Sequence, residues 1–354
     1  MSLDDEIRAP RPGEELDAGR LAAFLKRKRT DLAGPVEISQ FSSGHSNLTY
    51  LVRVGADELV LRRPPFGKKP KSGHDMHREW VVLSALAGHF PYAPEPVAFC
   101  ADPEVLGAPF FLMRRIRGLI PRRDLPPELD LEPEKMGALC ERLIDVHREL
   151  HALDYRALGL EDFGHPEGYV ERQITGWSRR YRDSRTADVP DFEEVMAWLE
   201  EHRPAERGAA LIHNDYRFDN VVLDPRDPLR IIGVLDWEMA TIGDPLMDLG
   251  ASLAYWVEAD DPPGLEAIRL VPTNHPGALT RREVVARYLA ETELKVEDFT
   301  FYFVYGLFRL AGIAQQIYYR FYHGQTEDPR FGRLGFAVQV LEKAAKAAIA
   351  GGSV

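Results

Sequence analysis

This sequence has few cysteines and fewer basic than acidic residues. Only two cysteines, Cys100 and Cys140, occur in 354 residues, and they do not form a C-x-x-C pair. Their number and spacing argue against a disulfide-stapled fold and favour a reducing, cytoplasmic location. Acidic residues outnumber lysine and arginine by 56 to 44, which gives a formal net charge of −12. Such a surface repels phosphate backbones, so no nucleic-acid partner is expected.

Long apolar runs are also missing. No stretch approaches the roughly 18 uninterrupted apolar residues of a membrane helix, so no membrane association is expected. Residues 1–16 are polar and acidic, which is not the pattern of a signal peptide. The remainder is an ordinary globular mixture with 45% hydrophobic and 28% charged residues. A chain of this length has room for two lobes.

Local patterns divide the chain into a sheet-forming part and a helical part. Residues 1–116 carry five strand patterns and two helix patterns, one from Asp17 to about Lys28 and one inserted after the third strand, which predicts a lobe built on a small antiparallel sheet. Residues 117–354 are largely helical and include an aromatic helix over 299–322. The predicted fold class is therefore α+β. The strand patterns cover Val36–Phe41, Leu48–Val54, Glu58–Arg63, Pro96–Cys100 and Phe110–Ile116.

One constellation of polar residues stands out in the second part. The run AALIHNDYRFDNVVLDPRDPLRIIGVLDWE contains His213, Asp215 and Asn220 in an H-x-D-x-x-x-x-N spacing, followed by a hydrophobic strand that ends at Asp236. One carboxylate can accept a proton, while an amide oxygen and a second carboxylate can hold Mg²⁺. No nucleophile of the protein's own is needed, which is the division of roles in phosphoryl transfer. The alternative is that these acids only cap turns.

Other polar residues near this motif have structural and functional interpretations. Glu238 is either a further metal ligand or a solvated carboxylate. Asp248 and His213 are predicted to support the motif loop from inside the fold. His147 and His151 lie one helical turn apart, but without a third ligand nearby they are interpreted as ordinary helix histidines.

The motif region resembles a known family. Residues 211–250 are similar to the aminoglycoside phosphotransferase and choline kinase group, the small-molecule relatives of protein kinases. The segments LIHNDYRFDNVVLD and GVLDWEMATIGDPLMDLG most resemble the phosphotransferase-like domain fused to some acyl-CoA dehydrogenases. The resemblance implies a two-lobed protein-kinase-like fold, with Asp215 as catalytic base. It also implies Mg²⁺ ligands at Asn220 and Asp236, with Glu238 as a possible third.

The first lobe contains matching candidates for nucleotide binding. Ser43 and Gly44 lie in a turn that resembles a glycine-rich phosphate loop, although an ordinary hairpin turn is the alternative. Arg62 stands in the third strand where relatives usually have a lysine, and arginine can also hold phosphate. Glu79 lies beside an apolar helix stripe, so its carboxylate needs a partner, and Arg62 is the candidate.

The resemblance also suggests where the nucleotide base and the acceptor bind. Backbone groups near Met113 and Arg114 are expected to meet the base of ATP, with GTP as the alternative nucleotide. The predicted reaction moves the γ-phosphoryl group to a hydroxyl of a small molecule. Similarity to the acyl-CoA dehydrogenase-linked domain suggests a hydroxyacyl or hydroxyacyl-CoA acceptor.

Two other functions compete with this prediction. The first is a non-catalytic, nucleotide-binding kinase-like module, which Arg62 and the single glycine of the 42–47 turn would fit. The second is a metal hydrolase that uses the clustered acids, although the histidine-rich ligand set typical of zinc sites is missing.

Overall fold

A computed structural model shows that segments with alternating apolar residues form strands and that segments with one apolar face form helices. The structure describes residues 7–42, 47–67, 75–125, 129, 131–326 and 328–352. It divides into two compact units. Unit 1 comprises Met1–Ile120 and Asn220–Ala240, and unit 2 comprises Pro121–Asp219 and Thr241–Val354. Among the described residues, every helix is too short or too polar to span a bilayer.

The strands and helices of the described residues follow in chain order. The strands are β1 (Ile7–Arg8), β2 (Val36–Phe41), β3 (Leu48–Val54), β4 (Asp57–Arg63), β5 (Pro96–Cys100), β6 (Phe110–Arg114), β7 (Ala210–Ile212), β8 (Val221–Asp224), β9 (Asp227–Val234) and β10 (Thr241–Gly243). The helices are α1 (Ala18–Lys28), α2 (Met76–Leu86), α3 (Pro103–Leu106), α4 (Pro133–His151), α5 (Tyr169–Ser184), α6 (Glu193–Glu201), α7 (Pro245–Leu253), α8 (Pro263–Ile268), α9 (Arg281–Ala290), α10 (Thr300–Tyr322) and α11 (Leu334–Gly351).

Unit 1 is built on a six-stranded sheet in the order β1-β2-β3-β4-β6-β5. All neighbouring strands are antiparallel. Alternate side chains of β3 such as Tyr50 and Val52 pack into a core with Leu21 and Phe24 of α1. The predicted antiparallel lobe is therefore present. The two-residue strand β1 was not predicted, because it is too short to produce a period-2 pattern.

A second hairpin, β8–β9, also belongs to unit 1 although it lies about a hundred residues further along the chain. Leu119 and Leu223 exchange backbone hydrogen bonds of 2.9 and 2.7 Å. The Val234 N–H donates to the carbonyl of Tyr92 at 2.7 Å. These long-range bonds attach the hairpin to the first part of the chain.

Unit 2 is mostly helical and is organised around α10. Most side chains along this aromatic helix are buried, as its composition predicts. Helix α7 begins as predicted, with Asp244 as N-cap accepting from the Leu246 N–H and Pro245 as first residue. Helices α7 and α10 approach so closely that a Cβ at Gly306 would overlap the carbonyl of Gly250. Only glycine allows this separation.

Candidate active site

The β8–β9 hairpin places Asn220 and Asp236 at one end. Asn220 directly precedes β8, and its carbonyl accepts a 2.8 Å hydrogen bond from the N–H of Leu235. Leu235 directly precedes Asp236, so antiparallel pairing brings the two side chains to the same edge. Asp236 has a φ of 68°, one of three positive values among described non-glycine residues. Such backbone strain is concentrated at functional sites.

Glu238 follows in a short 3-10 turn, Trp237–Met239. Trp237 is buried and donates from Nε1 to the Val234 carbonyl at 2.8 Å, which fixes the turn. The Glu238 Oε2 atom accepts from Asn47 Nδ2 at 2.6 Å and from Arg62 Nη2 at 3.0 Å. Its side chain is only 17% exposed. The interpretation of Glu238 as a solvated carboxylate is therefore wrong.

Arg62 connects three carboxylates of unit 1. Its Nη1 atom donates to Glu79 at 2.7 Å, which confirms the predicted pairing, and to Asp236 at 2.9 Å. Its Nη2 atom reaches Glu238. Burial lowers the pKa of Arg62, but the charges of the three carboxylates outweigh that effect and raise it. Arg62 therefore remains a cation.

Glu79 is the most buried of these acids, with 1% of its side chain exposed. Burial raises the pKa of Glu79 to about 8, against the opposing charge of Arg62. The charges of Asp236 and Glu238 add to the rise. One guanidinium serves three carboxylates, so this part of the site carries excess negative charge.

In unit 2, the buried carboxylate of Asp248 fixes the loop that follows β7 and carries Asp215. Its two carboxylate oxygens accept from the N–H groups of His213 and Asn214, each at 2.8 Å. His213 is fully buried, and its Nδ1 atom accepts from the Asp215 N–H at 3.2 Å. Asn214 has a φ of 63°. The predicted supporting roles of Asp248 and His213 are confirmed.

Asp248 is also the centre of a histidine pair. The Nε2 atoms of His147 and His151 lie 3.0 and 3.1 Å from Asp248 Oδ2, and His151 Nδ1 lies 2.7 Å from the Tyr288 hydroxyl. A third potential metal ligand therefore lies beside the two histidines, contrary to the expectation from sequence. The same carboxylate already supports the loop, so we interpret the group as a hydrogen-bond network.

The protonation of this network follows from burial. Burial alone would raise the pKa of Asp248, but His147 and His151 outweigh it and hold that pKa well below its usual range. Burial lowers the pKa of His147 to about 4, with His151 adding to the fall and Asp248 opposing it. An ionised Asp248 can accept from the Nε2–H of a neutral His147, whose buried Nδ1 atom has no hydrogen-bond partner among the described residues.

Arg217 is a site residue that the sequence reasoning missed. Its Nε atom lies 3.3 Å from Asp215 and 3.1 Å from Asp219. Its guanidinium lies 4.4 Å from the ring centre of Tyr255. The available signal was a basic residue two positions after the candidate base. Arg309 of α10, which from sequence could either line a substrate pocket or hydrogen-bond internally, donates to the Asn214 carbonyl at 2.7 Å.

Comparison with known proteins identifies the family. The sequence model described as "Phosphotransferase enzyme family" matches residues 37–279. The chain belongs to the phosphotransferase enzyme family. It is 33% identical over 301 residues to acyl-CoA dehydrogenase family member 10 of Mus musculus, covering 84% of this chain and 28% of that protein. It is 30% identical over 333 residues to family member 11 of Homo sapiens, covering 90% and 41%. The phosphotransferase chain thus spans less than half the length of these relatives.

Solved structures share the fold of this phosphotransferase. A Ralstonia eutropha protein, provisionally assigned as an aminoglycoside phosphotransferase, is 29% identical with a TM-score of 0.79, covering 94% of this chain and 99% of that chain. A choline kinase from Cryptosporidium parvum shares the fold at 12% identity and a TM-score of 0.61, covering 95% and 97%. These comparisons confirm the predicted two-lobed, protein-kinase-like α+β fold and the family resemblance.

The remaining predicted residues of the phosphotransferase are less informative. Ser43 and Gly44 lie outside the described residues. Met113 lies in β6 opposite Val60, and the Arg114 N–H donates to the carbonyl of Glu95 at 2.8 Å. Their contact with a nucleotide base stays a prediction.

The sequence contains a basic cluster formed by Arg114, Arg115, Arg117, Arg122 and Arg123. Such a cluster either attracts an anionic substrate or, as we expect for most of its members, is a solvated surface patch. Arg114 pairs with Asp57, and Arg115 and Arg117 both pair with Glu58, at 2.9 and 2.7 Å. Most of these guanidinium groups therefore have acidic partners close by. Ion pairing fits either interpretation, so the surface-patch interpretation stays a prediction.

Proposed function

We propose that this phosphotransferase moves the γ-phosphoryl group of ATP to a hydroxyl group of a small molecule. The supporting observation is the edge formed by Asn220, Asp236 and Glu238 in unit 1. Amide and carboxylate oxygens are the donors that Mg²⁺ prefers, so this set fits the metal. Bound Mg²⁺ would neutralise charge on the nucleotide phosphates.

Asp215 is proposed as the base. As the new oxygen–phosphorus bond forms and the bond to the leaving ADP breaks, Asp215 accepts the proton of the acceptor hydroxyl. Three contacts support this role: the loop is fixed through Asp248, the base itself through His213, and its carboxylate through Arg217. Only four residues separate Asp215 from Asn220 in the chain, which limits the distance between the base and the proposed metal ligand to roughly 18 Å.

Nucleotide binding is assigned to unit 1. We propose that Arg62, positioned by Glu79, contacts the phosphates, that Ser43 and Gly44 cover them, and that the backbone near Met113 and Arg114 meets the base. Proteins with this fold have been solved with GDP, in aminoglycoside 2′-phosphotransferase-IIIa, and with ADP and hygromycin B, in a mutant of aminoglycoside phosphotransferase APH(4)-Ia. ATP is the proposed donor and GTP the alternative.

The direct test is Asp215→Ala. Loss of a positioned base is expected to lower kcat by about 100- to 10,000-fold, while the Kd for ATP stays within about threefold because Asp215 is not proposed to hold the nucleotide. Asp227→Ala, an exposed aspartate in the β8–β9 turn, is the matched control. Substantial phosphoryl transfer by the Asp215 variant would show that the role is wrong.

The acceptor is proposed to be a hydroxyacyl compound, free or as the coenzyme A ester. Unit 2 contains a pocket of about 450 Å³, the size of a small-molecule site. Most of the residues that line it are apolar. Tyr255, whose ring packs against the Arg217 guanidinium, is one of the lining residues. The apolar wall includes Leu265, Leu270, Leu310, Leu334, Phe336 and Leu341.

Charge in the same pocket argues against a cationic acceptor. Arg123, Arg269 and Arg333 also line it. Glu266 pairs with Arg123 and Arg269. Asp124 also pairs with Arg269, so three arginines face two acids and a small positive excess disfavours a polycationic aminoglycoside. An apolar chain with an acidic end fits better. Similarity to acyl-CoA dehydrogenase family members 10 and 11 supports the same class.

A chain-length series tests the acceptor. Hydroxyacyl compounds, amino alcohols and sugars are screened by mass shift, and kcat/KM is measured for hydroxyacyl chains of increasing length. We expect about a fourfold rise per methylene until the pocket is full, from roughly 0.8 kcal/mol per buried CH₂. Phe336→Asp, at a side chain that is 51% exposed, should flatten the series. No phosphorylated hydroxyacyl product would refute this acceptor and leave the kinase proposal standing.

A non-catalytic nucleotide-binding module is the second candidate. The observation that favours it is the engagement of Asp236 and Glu238 by Arg62. A Mg²⁺-dependent thermal shift with ATP, without turnover across the acceptor panel, would support it over the kinase.

A further inference from the structure

The charges of Arg62 and its three acidic partners do not balance. Arg62 contributes one positive charge, and Glu79, Asp236 and Glu238 contribute three negative charges when ionised. The three oxygen–nitrogen distances, 2.7, 2.9 and 3.0 Å, are all those of ion pairs. With all three acids ionised the group has a net charge of −2, and with Glu79 protonated, which its raised pKa of about 8 favours at neutral pH, the net charge is −1. In either state the group attracts a divalent cation.

Arg62 engages the carboxylates that are proposed to hold the metal. It contacts Asp236 through Nη1 and Glu238 through Nη2, and Asn47 donates to the same oxygen of Glu238. The Asp236 side chain is 36% exposed, whereas that of Arg62 is 9% exposed. A cation from solvent would therefore reach these carboxylates on the open side, while the guanidinium contacts them from the buried side.

A guanidinium and a divalent cation that bind the same two carboxylates repel each other, because both are positively charged. They also compete for the same oxygen lone pairs. Glu79 differs from the other two acids because it lies on α2 and its 2.7 Å contact with Arg62 Nη1 is fully buried. It can keep Arg62 in place while the other two contacts are broken.

We propose that Arg62 is a built-in competitor of the metal. It occupies Asp236 and Glu238 in the metal-free protein, releases them when a divalent cation binds, and stays attached to Glu79. The released guanidinium then faces phosphate instead of carboxylate. Metal and nucleotide consequently favour each other's binding, because each makes the displacement of Arg62 easier. This inference rests on the proposed function in one respect, namely that Asp236 and Glu238 are metal ligands.

The geometry explains why arginine matters at this position. Its two Nη atoms reach three carboxylates at once, whereas the single ammonium group of lysine presents a compact point charge. Arg62→Lys should therefore compete less strongly for Asp236 and Glu238.

The experiment measures Mn²⁺ binding to the purified chain without nucleotide, by calorimetry and by the electron paramagnetic resonance of free Mn²⁺. The double variant Arg62→Met/Glu79→Gln removes the guanidinium together with its buried acidic partner, and Arg62→Lys, which keeps the positive charge, is the charge-matched comparison. We expect it to bind Mn²⁺ about tenfold more tightly than the parent and to bind ATP more weakly. Arg62→Lys should be intermediate. Glu79→Gln alone should bind Mn²⁺ more weakly, because Arg62 is then left to the other two acids.

The control is Arg29→Met/Asp31→Asn, which removes an ion pair of 2.8 Å elsewhere in unit 1 and should leave Mn²⁺ affinity unchanged. Circular dichroism verifies that each variant is folded, and Arg62→Lys keeps the test available if the double variant is not. Unchanged or weaker Mn²⁺ binding in both Arg62 variants would overturn the proposal. Asp236→Asn/Glu238→Gln separates the two ideas, since Mn²⁺ binding that survives it would refute the metal site of the proposed function instead.

Discussion

Replacing Asp248 by asparagine should destabilise unit 2 and release the loop that carries Asp215. The Asp248 carboxylate is fully buried and accepts four hydrogen bonds. Asparagine has one acceptor oxygen and an amide that only donates, so at least one N–H group would face another donor.

The magnitude follows from those four contacts. In the best orientation the asparagine oxygen replaces Oδ2 and keeps His213, His147 and His151 as partners, but without the negative charge. The N–H of Asn214 is then left unpaired, at a cost of about 1–3 kcal/mol. Weakening three charge-assisted bonds adds about 2 kcal/mol. The expected loss of unfolding free energy is therefore about 3–5 kcal/mol.

Urea denaturation measures the loss, and hydrogen exchange of the His213 and Asn214 amides locates it. Asp244→Asn, four residues earlier, is a matched control, because Asp244 is also buried and asparagine keeps its N-cap bond to the Leu246 N–H. Another N–H that Asp244 accepts from belongs to Arg207, which is exposed, so that group can turn to water in the variant. Its cost should be about 1 kcal/mol or less. If Asp248→Asn costs no more than this control, the anchoring argument is wrong.

Two further predictions concern pH and close packing. The folded pKa of His147, about 4, lies below its unfolded value of about 6.5, so the unfolded chain takes up a proton first. The contribution of neutral His147 to the free energy of unfolding is complete above pH 6.5 and falls by about 3 kcal/mol between pH 6.5 and 4. The variant His147→Gln should therefore flatten this part of the curve of stability against pH. An unchanged slope would contradict the lowered pKa of His147. Gly306→Ala should cost about 1–3 kcal/mol or more in denaturation, because its Cβ would meet the carbonyl of Gly250. The control Gly176→Ala on α5, where the nearest atoms belong to a flexible arginine, should stabilise by about 0.5–1 kcal/mol, and equal effects would refute the packing argument.

Elements with strong local patterns were predicted closely. Strands β2 and β3 have the bounds expected from period-2 alternation, and α7 begins where the Asp244–Pro245 pair predicted. The pairing of Glu79 with Arg62 was also predicted, since a carboxylate beside an apolar stripe needs a cation. These inferences succeeded because each depends on neighbouring residues or on one buried charge.

Contacts between distant segments were not predictable in the same way. Glu238 and Asn47 are separated by 191 residues and meet at 2.6 Å, and Asp248 meets His147 across 101 residues. No local pattern records which segments pack together, because that choice depends on the total burial of many side chains. For the same reason, the sequence shows that Asp215 and Arg217 are neighbours in the chain, but it does not show that the Arg217 guanidinium packs on the Tyr255 ring.

The amino-acid sequence by itself determined the family, the α+β class and the residues able to carry phosphoryl transfer, since these depend on residue type and spacing. Only the tertiary structure decided that Arg62 contacts three acids, and that one buried aspartate supports the motif loop. Both outcomes are set by long-range packing, which brings charges together where water is excluded and each must find a partner.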